Sequence, residues 1–286
     1  RTAETVNLLN NLRKVPTQGI MFGHHDDPLY GVGWEGDEDR SDVKSVCGDY
    51  PAVMSFDLGH IELEREKSLD NVPFRKIRQE TINQYKRGGV VSFSWHLDNP
   101  LTGKDAWDVS DTTVVASILP GGVHHAKFIS WLDAVAAFMN TLETEEGTKI
   151  PVIFRPWHEH TGSWFWWGQN LCTADQYKAL WRMTHDRMHA RGVKNLLYAY
   201  SPGSEPKDST AYLERYPGDD IIDLVGFDTY QFDRTQYMEQ LDKSLAILTE
   251  VGKAHDKPIA ITETGFEAIP DSVWWTQTLY PVISKY

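Results

Sequence analysis

The chain has 286 residues, 41% of them hydrophobic and 24% charged, enough to bury a large core and too apolar for a disordered polymer. Its 41 acidic residues outweigh 28 basic ones, and a net charge of -13 argues against nucleic acid or an acidic membrane face as partner. No stretch reaches the ~20 apolar residues that span a bilayer, and two cysteines, Cys47 and Cys172, are too few for a disulfide framework. The chain starts at Arg1 with no apolar leader, which predicts a processed or engineered form from which any targeting peptide has been removed.

In chain order, short β-branched and aromatic runs predict seven strands: Gly19 to His25, Ala52 to Gly59, Gly89 to His96, Pro151 to Glu159, Asn195 to Pro202, Asp223 to Tyr230 and Pro258 to Gly265. Helix-period segments separate them. In His125 to Glu143, for example, Phe128, Trp131, Leu132, Val135, Met139 and Leu142 share one face. Alternation without a linker predicts a single α/β domain over 1–286, a (β/α)8 TIM barrel rather than a doubly wound sheet, because Phe22-Gly23-His24-His25-Asp26-Asp27 lacks a glycine-rich phosphate loop. The long connections Asp26 to Tyr50 and Leu97 to Gly122, carrying Trp34 and Trp107, are expected to wall a cleft. Only 23 residues follow Glu263, and Ser272 to Lys285 reads as a helix carrying Trp274, Trp275, Leu279 and Val282. No eighth strand is left. The expectation is a barrel truncated at its C-terminus, with a gap between strands one and seven or a break after the last helix.

Chemistry concentrates where strands end. In Phe154-Arg155-Pro156-Trp157-His158-Glu159-His160-Thr161-Gly162-Ser163-Trp164-Phe165-Trp166-Trp167-Gly168, aromatics crowd Glu159, and desolvation there raises a carboxyl toward the range of a general acid. Alternative roles for Glu159 are a helix cap or a pair with Arg155. Pro258-Ile259-Ala260-Ile261-Thr262-Glu263-Thr264-Gly265 ends in a second carboxylate, followed by a glycine that lets the chain turn away. The ends of strands four and seven face each other across a barrel mouth, as a two-carboxylate glycosidase requires. A loop cannot bury every ring of Trp164, Phe165, Trp166 and Trp167, so Trp164 is the expected sugar platform. His96 and His158 suit sugar hydroxyls or a carboxylate, and the Tyr230 phenol can reach Glu263. Adjacent His24 and His25 point to opposite faces, unlike the His-x-His of barrel metallohydrolases, so no metal is expected.

These residues together resemble glycoside hydrolase family 26, the β-mannanase family. The matching pieces are Gly23-His24-His25, Ser94-Trp95-His96, Arg155-Pro156-Trp157-His158-Glu159 with its Trp-rich loop, Gly226-Phe227-Asp228-Thr229-Tyr230 and Thr262-Glu263-Thr264-Gly265. The resemblance implies that Glu159 is the acid/base and Glu263 the nucleophile. It implies that His158 contacts the axial 2-hydroxyl of mannose, that His96 and Tyr230 contact the sugar being cleaved and the nucleophile, and that Trp164 lies on the leaving-group side. His25 and Trp107 complete the expected substrate-binding set. The implied reaction is retaining endo-hydrolysis of β-1,4-mannosidic bonds in mannan, glucomannan or galactomannan, with the carboxyl groups about 5–5.5 Å apart and no cofactor. A family eighth strand would also bring a cleft-floor Trp that has no match here. The implied protein is a monomer acting on β-mannans and manno-oligosaccharides, secreted, periplasmic or on the surface of a polysaccharide-degrading bacterium. Alternatives are a β-glucanase or β-1,3-xylanase of the same family, a non-catalytic carbohydrate-binding barrel, and a metal-dependent hydrolase.

Overall fold

Seven parallel strands form one curled sheet in strict chain order in the computed structural model, which describes residues 1–286. They are β1 (Gly23–His25), β2 (Val53–Asp57), β3 (Val90–Ser94), β4 (Val152–Arg155), β5 (Leu196–Tyr200), β6 (Leu224–Tyr230) and β7 (Ile259–Gly265). Each pairs with its chain neighbour, and β7 does not pair with β1. The fold is therefore the expected (β/α) barrel with one strand position open.

Helices cover the outer face, and local chemistry sets where they start. Thr173 and Gln176 form a reciprocal capping box at the head of Ala174–Ala190, and Asp233 caps Arg234–Ala254. The main core lies between sheet and helices, with Trp95, Trp157, Trp166, Trp167, Trp181 and Trp274 fully buried. A smaller cluster of Val90, Ile153, Leu197, Ala199 and Leu224 packs against Leu8, Leu9 and Leu12 of the helix Ala3–Leu12.

Several boundaries differ from expectation. The fourth strand stops at Arg155 because Pro156 lacks an N–H and Trp157 and Glu159 adopt left-handed backbone, φ 59° and 53°. The helix from His125 ends at Asn140, whose carbonyl accepts from Lys149 Nζ at 2.5 Å. Ser272 to Lys285 is not one α-helix: a π-helical turn, Trp275–Leu279, precedes Tyr280–Ile283. Pro281 cannot donate to the carbonyl of Gln277, which takes Arg234 instead at 3.0 Å. Both long connections carry structure of their own. The first holds a hairpin, Tyr30–Gly31 with Trp34–Glu35, and the helix Asp42–Cys47; the second holds the helix Val114–Ile118. Trp34 faces no cleft: it is buried and donates to Asp42 Oδ1 at 2.7 Å. No helix is long and apolar enough to cross a membrane.

Candidate active site

Arg155 organises the mouth of the sheet. It is the last residue of β4, 3% exposed, and a buried guanidinium needs acceptors for its fork of donors. Its Nη1 donates to Asp228 Oδ2 on β6 at 2.7 Å and to Ser201 Oγ at 3.0 Å, while Nη2 donates to Glu263 Oε1 on β7. Arg155 thus serves Glu263 and Asp228, and no hydrogen bond joins it to Glu159. Tyr230, at the end of β6, donates to the other Glu263 oxygen at 2.6 Å.

Beyond Arg155 the chain crosses the mouth in unusual backbone, and packing holds each peptide there. Trp157 is buried, with Nε1 donating to Thr184 Oγ1 at 3.2 Å and its carbonyl accepting from Tyr177 at 2.6 Å. The His158 carbonyl accepts from Trp167 Nε1 at 2.8 Å, and the Glu159 N–H donates to the Ser201 carbonyl at 2.9 Å. Phe165, Trp166 and Trp167 are buried as this scaffold. Trp164 alone of the four remains 40% exposed, its Nε1 donating to Glu159 Oε2 at 2.8 Å.

The two carboxyls have opposite proton affinities. Burial, reinforced by the negative charge of Glu263, pushes Glu159 up to about 7, against the Trp164 hydrogen bond and the charge of Arg155. Burial acts on Glu263 in the same direction, but the Arg155 charge and the Tyr230 hydroxyl outweigh it and hold this carboxyl below its ordinary range. Near neutral pH one group keeps a proton to give and the other stays an anion.

Histidines line the space between. His158 is buried, and desolvation together with Arg155 and His96 keeps it neutral; its Nε2 lies 3.9 Å from Glu263 Oε1 and 2.9 Å from His96 Nε2. Trp107, 50% exposed, stacks on His96 with centroids 5.5 Å apart and planes 8° from parallel. The structure thus gathers Glu159, Glu263, His96, His158, Trp107, Trp164 and Tyr230. His25 shares no hydrogen bond with them: Nδ1 meets Ser55 Oγ at 3.2 Å, and Nε2 lies 3.5 Å from Asp26 and 3.9 Å from Asp70.

Two groups present metal-ligand atoms within 4.8 Å of one another. In His158, Asp228 and Glu263 the Arg155 guanidinium already occupies the cation position. In His25, Asp26 and Asp70 desolvation opposes a charged imidazole, yet Asp70, Asp26 and Asp57 push His25 up to about 9, so an imidazolium already stands among these carboxylates. Sequence reasoning placed Asp228 at a strand end without giving it a role, and cast Arg155 only as a partner of Glu159. A charged residue ending the apolar run Val152-Ile153-Phe154 was the available signal, since such a residue requires buried partners.

A proton-bearing carboxyl and a charged one at the C-terminal mouth of an α/β barrel define a glycoside hydrolase site. Comparison with known proteins specifies the kind. The model of Glycosyl hydrolase family 26 matches residues 1–276, and the chain belongs to that family. It is 37% identical over 279 residues to a mannan endo-1,4-beta-mannosidase of Bifidobacterium adolescentis, covering 92% of this chain. A GH26 beta-mannanase structure from Bacteroides ovatus superposes with a TM-score of 0.99 at 63% identity, over 100% of this chain and 83% of that one. An endo-beta-1,4-mannanase double mutant from Cellulomonas fimi gives 0.90 at 33% identity, over 99% and 66%. The chain spans 27% of the length of the Bifidobacterium enzyme and 52% of a Caldalkalibacillus mannanilyticus mannan endo-1,4-beta-mannosidase.

Proposed function

We propose that this chain is the catalytic barrel of a retaining endo-1,4-β-mannanase acting on mannan, glucomannan or galactomannan. The observation that carries the reading is the opposed protonation of Glu159 and Glu263, together with the mannanase relatives. Glu263 attacks C1 while Glu159 protonates the leaving oxygen. Forming the glycosyl ester removes the Glu263 charge, which is one of the forces holding the Glu159 proton. Glu159 then becomes the stronger acid and serves as the base that deprotonates water. Tyr230 and Arg155 position the nucleophile, His158 serves the axial 2-hydroxyl of mannose, His96 contacts the sugar being cleaved, and the open face of Trp164 suits the leaving-group side. The protein works as a monomer, since one chain supplies this machinery, and outside the cytoplasm, where a polysaccharide meets it.

Timed product analysis on linear mannan, lichenan and xylan tests the substrate. A ladder of manno-oligosaccharides supports endo-mannanase action, and preferential cleavage of either other glycan overturns it. Roles separate by mutation. Glu263→Ala should abolish turnover of every substrate, whereas Glu159→Ala should lose about 10²–10⁴-fold on mannan yet keep its first step on an activated aryl β-mannoside, with azide restoring the second. Identical behaviour of the two variants would refute the assignment, and proton NMR of the first-formed anomer checks retention.

A further inference from the structure

Asp57 ends β2, shares no hydrogen bond with Glu159 or Glu263, and is 2% exposed. Four donors converge on it. The Gly59 N–H at 2.6 Å and the His96 N–H at 3.2 Å reach Oδ1, while the Ser94 hydroxyl at 2.6 Å and His96 Nδ1 at 2.7 Å reach Oδ2. Burial favours the neutral acid, but His96 and these donors hold the carboxyl far below its ordinary range.

An ionised carboxylate only accepts, so His96 Nδ1 must carry a proton. Against its burial, Asp57 and the nearby Glu263 also raise the proton affinity of His96. The other nitrogen, Nε2, lies 2.9 Å from His158 Nε2, so a single proton occupies that contact and the ring held by Asp57 is joined to the one beside Glu263, whose Oε1 lies 3.9 Å from His158 Nε2.

We infer that Asp57 is a positioning residue of the catalytic centre, which holds the proton on His96 Nδ1 and thereby orients the imidazole that meets His158 beside the nucleophile. Its kinetic consequence rests on the glycosidase reading; its geometry does not.

Asp57→Asn is the informative change. The amide oxygen stays on the Gly59 and His96 N–H groups, so the amide nitrogen faces His96 Nδ1 and forces that nitrogen to be bare, as when an orienting carboxylate is replaced by its amide in other His-dependent sites. Long-range ¹H–¹⁵N NMR of the wild-type chain should show a protonated His96 Nδ1 near neutral pH, and Asp57→Asn should leave that nitrogen bare. Turnover of β-mannan by Asp57→Asn should fall about 10–100-fold, mostly in kcat, as for partners that orient a working imidazole. The double variant Asp57→Asn/His96→Ala should be no slower than His96→Ala alone. A bare Nδ1 in the wild type, wild-type turnover by Asp57→Asn, or losses that multiply in the double variant would each overturn the assignment. A wild-type chain that cleaves no β-mannan would instead overturn the functional reading, and the spectra decide the role of Asp57 in either case.

Discussion

Glu159 and Glu263 make the rate a function of pH whose sign follows from their environments. Glu159 works protonated, so kcat/KM should fall as pH rises through about 7. Glu263 works ionised, so activity on the acid side should survive until pH drops below the ordinary carboxylate range. A pH series on a soluble manno-oligosaccharide checks both limbs, and an alkaline limb near the usual carboxylate value would contradict the desolvated acid. Trp164 acts on the same group through the N–H it gives Glu159, which lowers the proton affinity of that carboxyl. Trp164→Phe keeps a ring for stacking and removes the donor, so the alkaline limb should move to higher pH while mannohexaose is still processed. Trp164→Ala removes both, and should in addition weaken long substrates.

At the level of elements, β7 is shaped by two local departures from a regular strand. Opposite β6, Ile261 faces Phe227 but Glu263 faces Asp228, so Thr262 is an extra residue, a bulge that re-aims the carboxylate. Two residues on, Gly265 was expected to let the chain turn, yet it lies within the strand without a positive φ. Its use is space: a Cβ there would sit 3.2–3.3 Å from the Tyr230 ring. Gly265→Ala should push the ring aside, lengthen the 2.6 Å contact from Tyr230 to Glu263, and slow catalysis several-fold at a loss of about 1 kcal/mol of stability. Thermal unfolding and kcat on one substrate test this, and unchanged kcat would free Tyr230 of the role.

For the whole molecule, the legible part of the fold was its period. Seven apolar runs separated by helical stripes led to seven parallel strands, and their order placed Glu159 and Glu263 on opposite walls. Side-chain partnerships between distant strands left no such trace: Arg155 with Asp228 and Glu263, or Asp57 with His96 and His158, join residues whose spacing follows no local rule. The Trp-rich run was readable as a loop, while the burial of Phe165, Trp166 and Trp167 depended on distant partners: Phe165 packs on His96 and Trp107, and Trp166 donates to the carbonyl of Leu97.

The left-handed residues Trp157, Glu159 and Ser163, at φ 59°, 53° and 61°, sit within one short stretch at the mouth. Each conformation costs a non-glycine residue about 1–2 kcal/mol, against a folding stability of about 5–15 kcal/mol for a whole domain. The stretch that carries the acid/base thus lowers the stability of the domain by a sizeable fraction. Two variants that both lack the acid/base carboxyl make this visible: Glu159→Gly should withstand urea better than Glu159→Ala by about 0.5–1 kcal/mol, because glycine accepts the left-handed turn and loses only part of that gain to its freer unfolded chain. The opposite order would mean that the turn at the acid/base places no burden on the fold.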